Sequence, residues 1–163
     1  MDHNARVARL LAAYGIELAR HLRRLVRDDD VAQDLLQDTL FRAHRALTRL
    51  GQGANERAWL YRIATNAALN HLRDRKRERL ALERHAREQD GAAVETETHG
   101  GDRREALWRR VAELPERQRV ALTLRVADEL EYDEIALRMG GTAQGARANV
   151  YQAVKRLRLE GIA

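Results

Sequence analysis

Trp59, Arg62, Asn66, Asn70 and Arg73 recur at steps of three or four, which on a helix sets them along one face. An indole, two amides and two guanidinium groups are what proteins use to stack on unpaired bases and to hydrogen-bond their edges. Taken singly, Trp59 reads as core and Asn66 as a solvated helix residue; together they read as a base-contacting face. A basic run follows at once. Between residues 57 and 79, Arg57, Arg62, Arg73, Arg75, Lys76, Arg77 and Arg79 stand against only Asp74 and Glu78, an excess equal to the +5 of the whole chain. Such segregation is the footprint of a protein that neutralises phosphates, although a solvated helix face has the same composition.

Two further constellations stand beside it. Tyr132 to Tyr151 has the spacing of a helix-turn-helix: a short helix, a turn at Gly140-Gly141, a cap at Thr142, and a second helix packed through Ala146, Val150 and Val154. That second helix points Gln144, Arg147, Ala148 and Tyr151 toward a major groove, with Thr142 at its start and Lys155 further along its basic side. An ordinary pair of packed helices has the same spacing. The face formed by Asp34, Leu35, Gln37, Asp38, Phe41 and Arg42 mixes acids with apolar groups, as protein-binding patches do.

Catalysis is poorly served. His3, His21, His44, His71, His85 and His99 are scattered, with no spacing suited to a metal, and Asp34 with Asp38 reads more simply as a solvated face. There is no Ser, no Cys and no phosphate-cradling glycine loop, so neither a Ser or Cys nucleophile nor a disulfide is available. The expectation is a protein that is not an enzyme, with no catalytic residues, no metal and no cofactor.

The elements that position these groups are helical. In 163 residues, 44% hydrophobic and 34% charged, there is one Pro and only 4% aromatic content, the profile of packed Arg-, Leu- and Ala-rich helices. Leu10, Leu11, Tyr14, Leu18, Leu22, Leu25 and Val26 form the stripe of a first helix ending near Arg27. Asp30 with Gln33 has the form of a cap for a second, which Gly51 and Gly53 stop. Asn55 caps a third, and Pro115 opens a later one. From Glu88 to Asp102 periodicity fails, and Glu88, Asp90, Glu95, Glu97 and Asp102 occur without a Lys or Arg. The fold class is therefore all-α: residues 1–80 and 105–163 form two small helical domains, joined by a flexible acidic linker over 81–104. The longest apolar run, Leu10 to Ile16, is far too short to span a bilayer, and no secretion signal opens the chain. A cytoplasmic protein without membrane insertion is expected.

Three ordered blocks carry a resemblance. Asp30-Val-Ala-Gln-Asp-Leu-Leu-Gln-Asp-Thr-Leu-Phe-Arg-Ala-His-Arg45, Ala58-Trp-Leu-Tyr-Arg-Ile-Ala-Thr-Asn-Ala-Ala-Leu-Asn-His-Leu-Arg73, and Leu114-Pro-Glu-Arg-Gln-Arg119 leading to Tyr132-Asp-Glu-Ile-Ala136 resemble an extracytoplasmic-function sigma factor of bacterial RNA polymerase. The resemblance covers nearly the whole chain outside the linker. It implies a region-two-like domain, a region-four-like domain, and two partners, core polymerase and promoter DNA, with an anti-sigma factor as a third the family allows. It implies that the Asp34 to Arg42 face docks on core. Trp59, Arg62, Asn66, Asn70, Arg73, Arg75, Lys76 and Arg77 would then serve the minus-ten element, with the loop Gly51 to Arg57 over one extruded base. Thr142, Gln144, Arg147, Ala148, Tyr151 and Lys155 would serve the minus-thirty-five element. A helix-turn-helix regulator acting without polymerase and a helical protein-interaction module are the alternatives. The last block departs from the family at Gln144 to Asn149. Gly145 inside a helix is expected to cost about 1 kcal/mol relative to Ala, and Glu131 is a poor residue to start the preceding helix.

Overall fold

A computed structural model describes residues 3–51, 53–90 and 103–159. Those residues are all helix, turn and loop: α1 (His3–Val26), α2 (Asp29–Ala46), a single 3-10 turn (Leu47–Arg49), α3 (Glu56–Asp90), α4 (Arg103–Glu113), α5 (Glu116–Val126), α6 (Tyr132–Met139) and α7 (Ala143–Leu159). Helices α1, α2 and α3 pack on one another because each buries one stripe. Leu18, Leu22 and Leu25 of α1 meet Ala32 and Ala43 of α2 and Leu60, Ala64 and Ala68 of α3 in the core. Truncating a fully buried leucine such as Leu22 to Ala would cost about 2–5 kcal/mol. In the C-terminal half α5, α6 and α7 pack mutually, with Val120, Leu124, Ile135, Val150 and Ala153 inside.

Local chemistry sets the ends. The carboxylate of Asp28, not Asp30, caps α2 by accepting the Val31 N–H at 3.0 Å; Asp29 and Asp30 then lie in the first turn, where carboxylates suit the helix dipole. Asn55 accepts the Ala58 N–H at 2.9 Å and starts α3. Helix α3 runs to Asp90, ten residues into the segment read as linker. Its glycine-free tail of Leu, Ala, Glu and Arg consists of good helix formers, and Arg79 pairs with Glu83 one turn on. The remainder of that segment, 91–102, lies outside the described residues. Pro115 is the residue just before α5, extended at φ −52°, ψ 140°, rather than inside its first turn.

The two halves touch. Helix α6 packs along α3, and α5 meets both α1 and α3. Among the described residues no helix is long and apolar enough to cross a membrane.

Candidate nucleic-acid interface

Three faces point outward. On α3, Arg62, Asn66, Asn70 and Arg73 are exposed, and Arg73 donates to the Asn70 amide oxygen at 3.5 Å. Trp59 is half-buried against the core, so its indole is shared between packing and surface. The loop before α3 turns through Gly53 at φ +80°, a left-handed conformation that glycine adopts without strain. Its C-terminal end is tied to α1: Glu56 pairs with Arg6 at 2.6 Å and Arg9 at 3.2 Å, and Arg57 with Glu17 at 2.9 Å. Arg57, counted in the basic excess, is thus engaged. The Arg57 hydrogen bond holds the Glu17 carboxyl below the usual carboxylate range.

The basic run divides. Arg73 and Arg77 face out, Arg77 lying 3.8 Å from Asp74. Arg75, exposed as well, and the half-buried Lys76 line a cleft of about 590 Å³ between the two halves, together with Leu72, Glu116 and Arg119, and Lys76 reaches Glu116 of α5 at 3.6 Å.

On α7, Gln144, Arg147, Ala148, Tyr151 and Lys155 are exposed. Gly140 ends α6 at φ +67°, and the Gly141 N–H closes on the Ala136 carbonyl at 3.0 Å, the left-handed stop that makes the turn of the motif. The Thr142 hydroxyl accepts the Gly145 N–H at 3.1 Å, so its oxygen is the cap of α7. That puts Gly145 in the first turn of α7, where its cost is smaller than in a helix interior, and a Cβ there would stand 3.3 Å from the same Thr142 oxygen. Glu131 starts α6 better than its type suggests: its N–H donates to the Glu134 carboxylate at 3.1 Å, and its own carboxylate meets Arg125 at 2.9 Å. The Arg147 guanidinium lies 5.1 Å above the Tyr132 ring, and Arg110 donates to the Leu157 carbonyl at 2.6 Å, fixing the far end of α7.

On α2, Asp34, Gln37, Phe41 and Arg42 are exposed and Leu35 and Asp38 are half-buried. Phe41 is 61% exposed, a large ring left in water beside the Asp38–Arg42 pair at 2.9 Å. An exposed aromatic with charged neighbours is the make-up of an interface anchor.

Sequence reasoning missed a buried polar cluster where the halves meet. His21 of α1 is fully buried. Its Nδ1 stands 3.4 Å from Asp128 Oδ2, in the α5–α6 loop, and its Nε2 stands 2.9 Å from Thr65 Oγ1 of α3. The Asp128 side chain is 6% exposed and also meets Arg24 at 2.5 Å and Arg138 at 3.8 Å. Arg138 in turn lies 4.0 Å over the Tyr61 ring. Burial drives the His21 imidazole below its ordinary value, against the pull of Asp128. A carboxylate can only accept, so the neutral ring donates from Nδ1 and accepts the Thr65 hydroxyl's hydrogen bond at Nε2. The signal was present: His21 sits inside the stripe of Leu18, Leu22 and Leu25. Among the described residues no group of three or more His, Cys, Asp or Glu gathers as a metal site requires.

Comparison with known proteins places both halves. Residues 10–78 match the family model for sigma-70 region 2 and residues 104–157 that for sigma-70 region 4. The ECF RNA polymerase sigma-E factors of Salmonella typhimurium and Escherichia coli are each 32% identical over 154 residues, covering 88% of this chain and 80% of the relative. The RNA polymerase sigma-H factor of Pseudomonas aeruginosa is 31% identical over 147 residues, covering 80% of this chain and 72% of the relative. Among solved structures, the sigma factor RpoE of Bartonella quintana, in complex with the anti-sigma factor NepR, superposes over 93% of both chains with TM-score 0.61 at 26% identity. CnrH in complex with the cytosolic domain of CnrY, at 23% identity and TM-score 0.61 over 94% of this chain and 85% of its own, shares the fold.

Proposed function

Because this chain belongs to the extracytoplasmic-function sigma factors of bacterial RNA polymerase, we propose that its three outward faces divide the work of promoter recognition. The α2 face around Asp38 and Phe41 docks on core polymerase. The outer face of α3, with Trp59, Arg62, Asn66, Asn70 and the basic run, takes the minus-ten element. The exposed face of α7 takes the minus-thirty-five element. The chain acts in the cytoplasm as a non-catalytic subunit and leaves RNA synthesis to its partner. An anti-sigma factor, such as the Bartonella quintana relative carries in its solved complex, is the natural means of holding it inactive.

The observation that carries this reading is the placement of the three faces on three different helices, each rich in exposed side chains of the chemistry its target requires. For the minus-ten element the chemistry is demanding, since a base must leave the stack before a pocket can read it. A half-buried Trp59 gives a rigid platform beside the exposed Asn66 and Asn70 amides, which can bond a base edge as donor and acceptor at once.

The test is transcription reconstituted from core polymerase and this chain on promoter DNA. Addition of the chain is expected to give promoter-dependent transcripts, and a folded Asp38→Lys, Phe41→Ala double variant to lose core in a pull-down by about a hundredfold, the loss of one strong anchor. DNA binding by the chain without any core-dependent transcript would make it a free-standing regulator. A double variant that held core like the parent would move the docking face elsewhere.

A further inference from the structure

Tyr132, the first residue of α6, lies half-buried against the core and carries guanidinium groups from two other helices on its ring. Arg125 of α5 stands 5.1 Å from the ring centre and Arg147 of α7 also 5.1 Å, both within the reach of a cation–π attraction, about 6 Å. The two cations are otherwise held differently. Arg125 donates to the Leu130 carbonyl at 2.8 Å and pairs with the Glu131 carboxylate at 2.9 Å, so its charge is neutralised beside the ring. Arg147 forms no ion pair among the described residues, and its anchor is the ring. Arg138 makes the contrast plain: it lies 4.0 Å over Tyr61 at the seam between the halves, but with the Asp128 carboxylate 3.8 Å away.

We propose that Tyr132 is a positioning residue for promoter reading, whose ring holds the Arg147 guanidinium ready to pair with one guanine of the minus-thirty-five element. The proposal rests on α7 facing that element. Arginine reads guanine in the major groove by a planar fork onto O6 and N7. A long, freely turning side chain has to be ordered first, at an entropic cost that preorganisation removes. A carboxylate would order it too, but would occupy the N–H fork that the base requires. An aromatic face attracts the guanidinium without offering it an oxygen, so the fork stays open. With Arg125 neutralised by Glu131, repulsion from the second cation on the ring is damped.

The neighbours of Arg147 leave it as the group suited to guanine. Ala148 has no polar side chain, and the Asn149 amide is spent on the Gly145 carbonyl at 2.8 Å. Gln144 is exposed, but an amide matches the edge of adenine. Tyr132 therefore bears on specificity without reaching the DNA itself, and it lies outside the recognition helix.

The test is transcription by core polymerase with this chain on promoters varied base by base through the minus-thirty-five element. Arg147→Ala is expected to flatten the preference at one position, where the parent favours guanine. Tyr132→Leu is expected to lower the guanine preference at that same position by about three- to tenfold. It should leave the other positions and the salt slope of promoter binding unchanged, and add nothing in an Arg147→Ala background. Tyr132→Phe keeps the ring and should read like the parent. A loss spread evenly over all positions, or a further loss in the Arg147→Ala background, would make Tyr132 a structural residue only and overturn the proposal. So would a folded Tyr132→Leu protein with the parental profile, or an Arg147→Ala protein with no position flattened. Magnetic resonance on the isotope-labelled parent needs no variant of Tyr132 to fold: the ring current should displace the Arg147 Nε–H signal, and a signal at the ordinary arginine position would overturn the proposal by itself. A parent chain that drove no core-dependent transcription would instead count against the function proposed above, and the ring-current displacement would still decide whether Tyr132 holds Arg147.

Discussion

The cations of α3 and those of α7 are held in different ways. Along α3, Arg57 pairs with Glu17, Lys76 with Glu116, Arg77 with Asp74 and Arg79 with Glu83. Along α7, Arg147 rests on an aromatic ring, and none of Lys155, Arg156 and Arg158 forms an ion pair among the described residues. A phosphate approaching α7 releases only counterions. A phosphate approaching one of these four paired cations must displace a carboxylate, which then recruits counterions of its own, so each paired α3 charge contributes less to the salt dependence than Arg62, Arg73 or Arg75, which form no ion pair among the described residues. The α3 half therefore depends on what else that face offers: Trp59, Asn66 and Asn70.

The largest effect on DNA binding should come from the α3 run taken whole. Replacing Arg73, Arg75, Lys76 and Arg77 by Ala is expected to weaken promoter binding by roughly 10- to 100-fold for every promoter alike, with base preference unchanged. The comparison sharpens in the salt slopes: Lys155→Ala should reduce the slope by about one, and Arg77→Ala by clearly less than one. Equal slopes in a filter-binding titration would mean that the α3 pairs do not persist on DNA. A smaller and more local effect belongs to Asn66→Ala, expected to cost about 1–3 kcal/mol at a single minus-ten position. A set of promoters varied base by base reads it, and an unchanged profile would remove the α3 face from base recognition.

How far the sequence reaches is visible in the same two helices. Asn55, Thr142 and the Gly140 turn were legible because a cap or a left-handed stop is decided within four residues, by an oxygen that finds an N–H or by a missing Cβ. The α1 and α3 stripes were legible because burial repeats with the helix. The seam was not. His21 and Asp128 lie 107 residues apart, and no periodicity reports a contact at that range. Asp128 also opens an acidic stretch with Glu129, Glu131, Asp133 and Glu134 that reads as a solvated surface. The tail of α3 was misread for a related reason: acids and a following glycine look like linker, while Leu80 to Arg87 are helix formers. Gly145 reads as a helix-interior defect by type alone, whereas the Thr142 hydroxyl accepts its N–H and so places it in the first turn of α7. Gly145→Ala gains helix propensity but presses the new Cβ toward the capping oxygen, so thermal unfolding should move by less than the equivalent of about 1 kcal/mol in either direction.

The smallest expected effect separates the seam from both DNA faces by its response to pH. Burial, opposed by Asp128, holds folded His21 below the ordinary histidine value. Arg24 on α1, Tyr61 on α3, Asp128 in the α5–α6 loop and Arg138 on α6 are the charged and titratable groups that face it. The unfolded chain therefore takes up a proton on His21 near its ordinary value of about 6.5 while the folded chain does not, and stability declines as pH falls through that value, levelling off below the folded one. Asp128 adds a second decline at lower pH: burial pushes its carboxyl up, but His21, Arg24 and Arg138 outweigh it and leave it below the usual value. Its stabilising share is present above the ordinary carboxylate range and is lost as pH falls through its folded value. The melting temperature should drop between about pH 7.5 and about pH 5.5, the range of an ordinary histidine, and the drop should shrink in His21→Gln. Asn66→Ala and Lys155→Ala, which touch only the DNA faces, should leave it unchanged. A parental drop that His21→Gln failed to reduce would assign the pH response to other histidines and leave the seam without a titrating part.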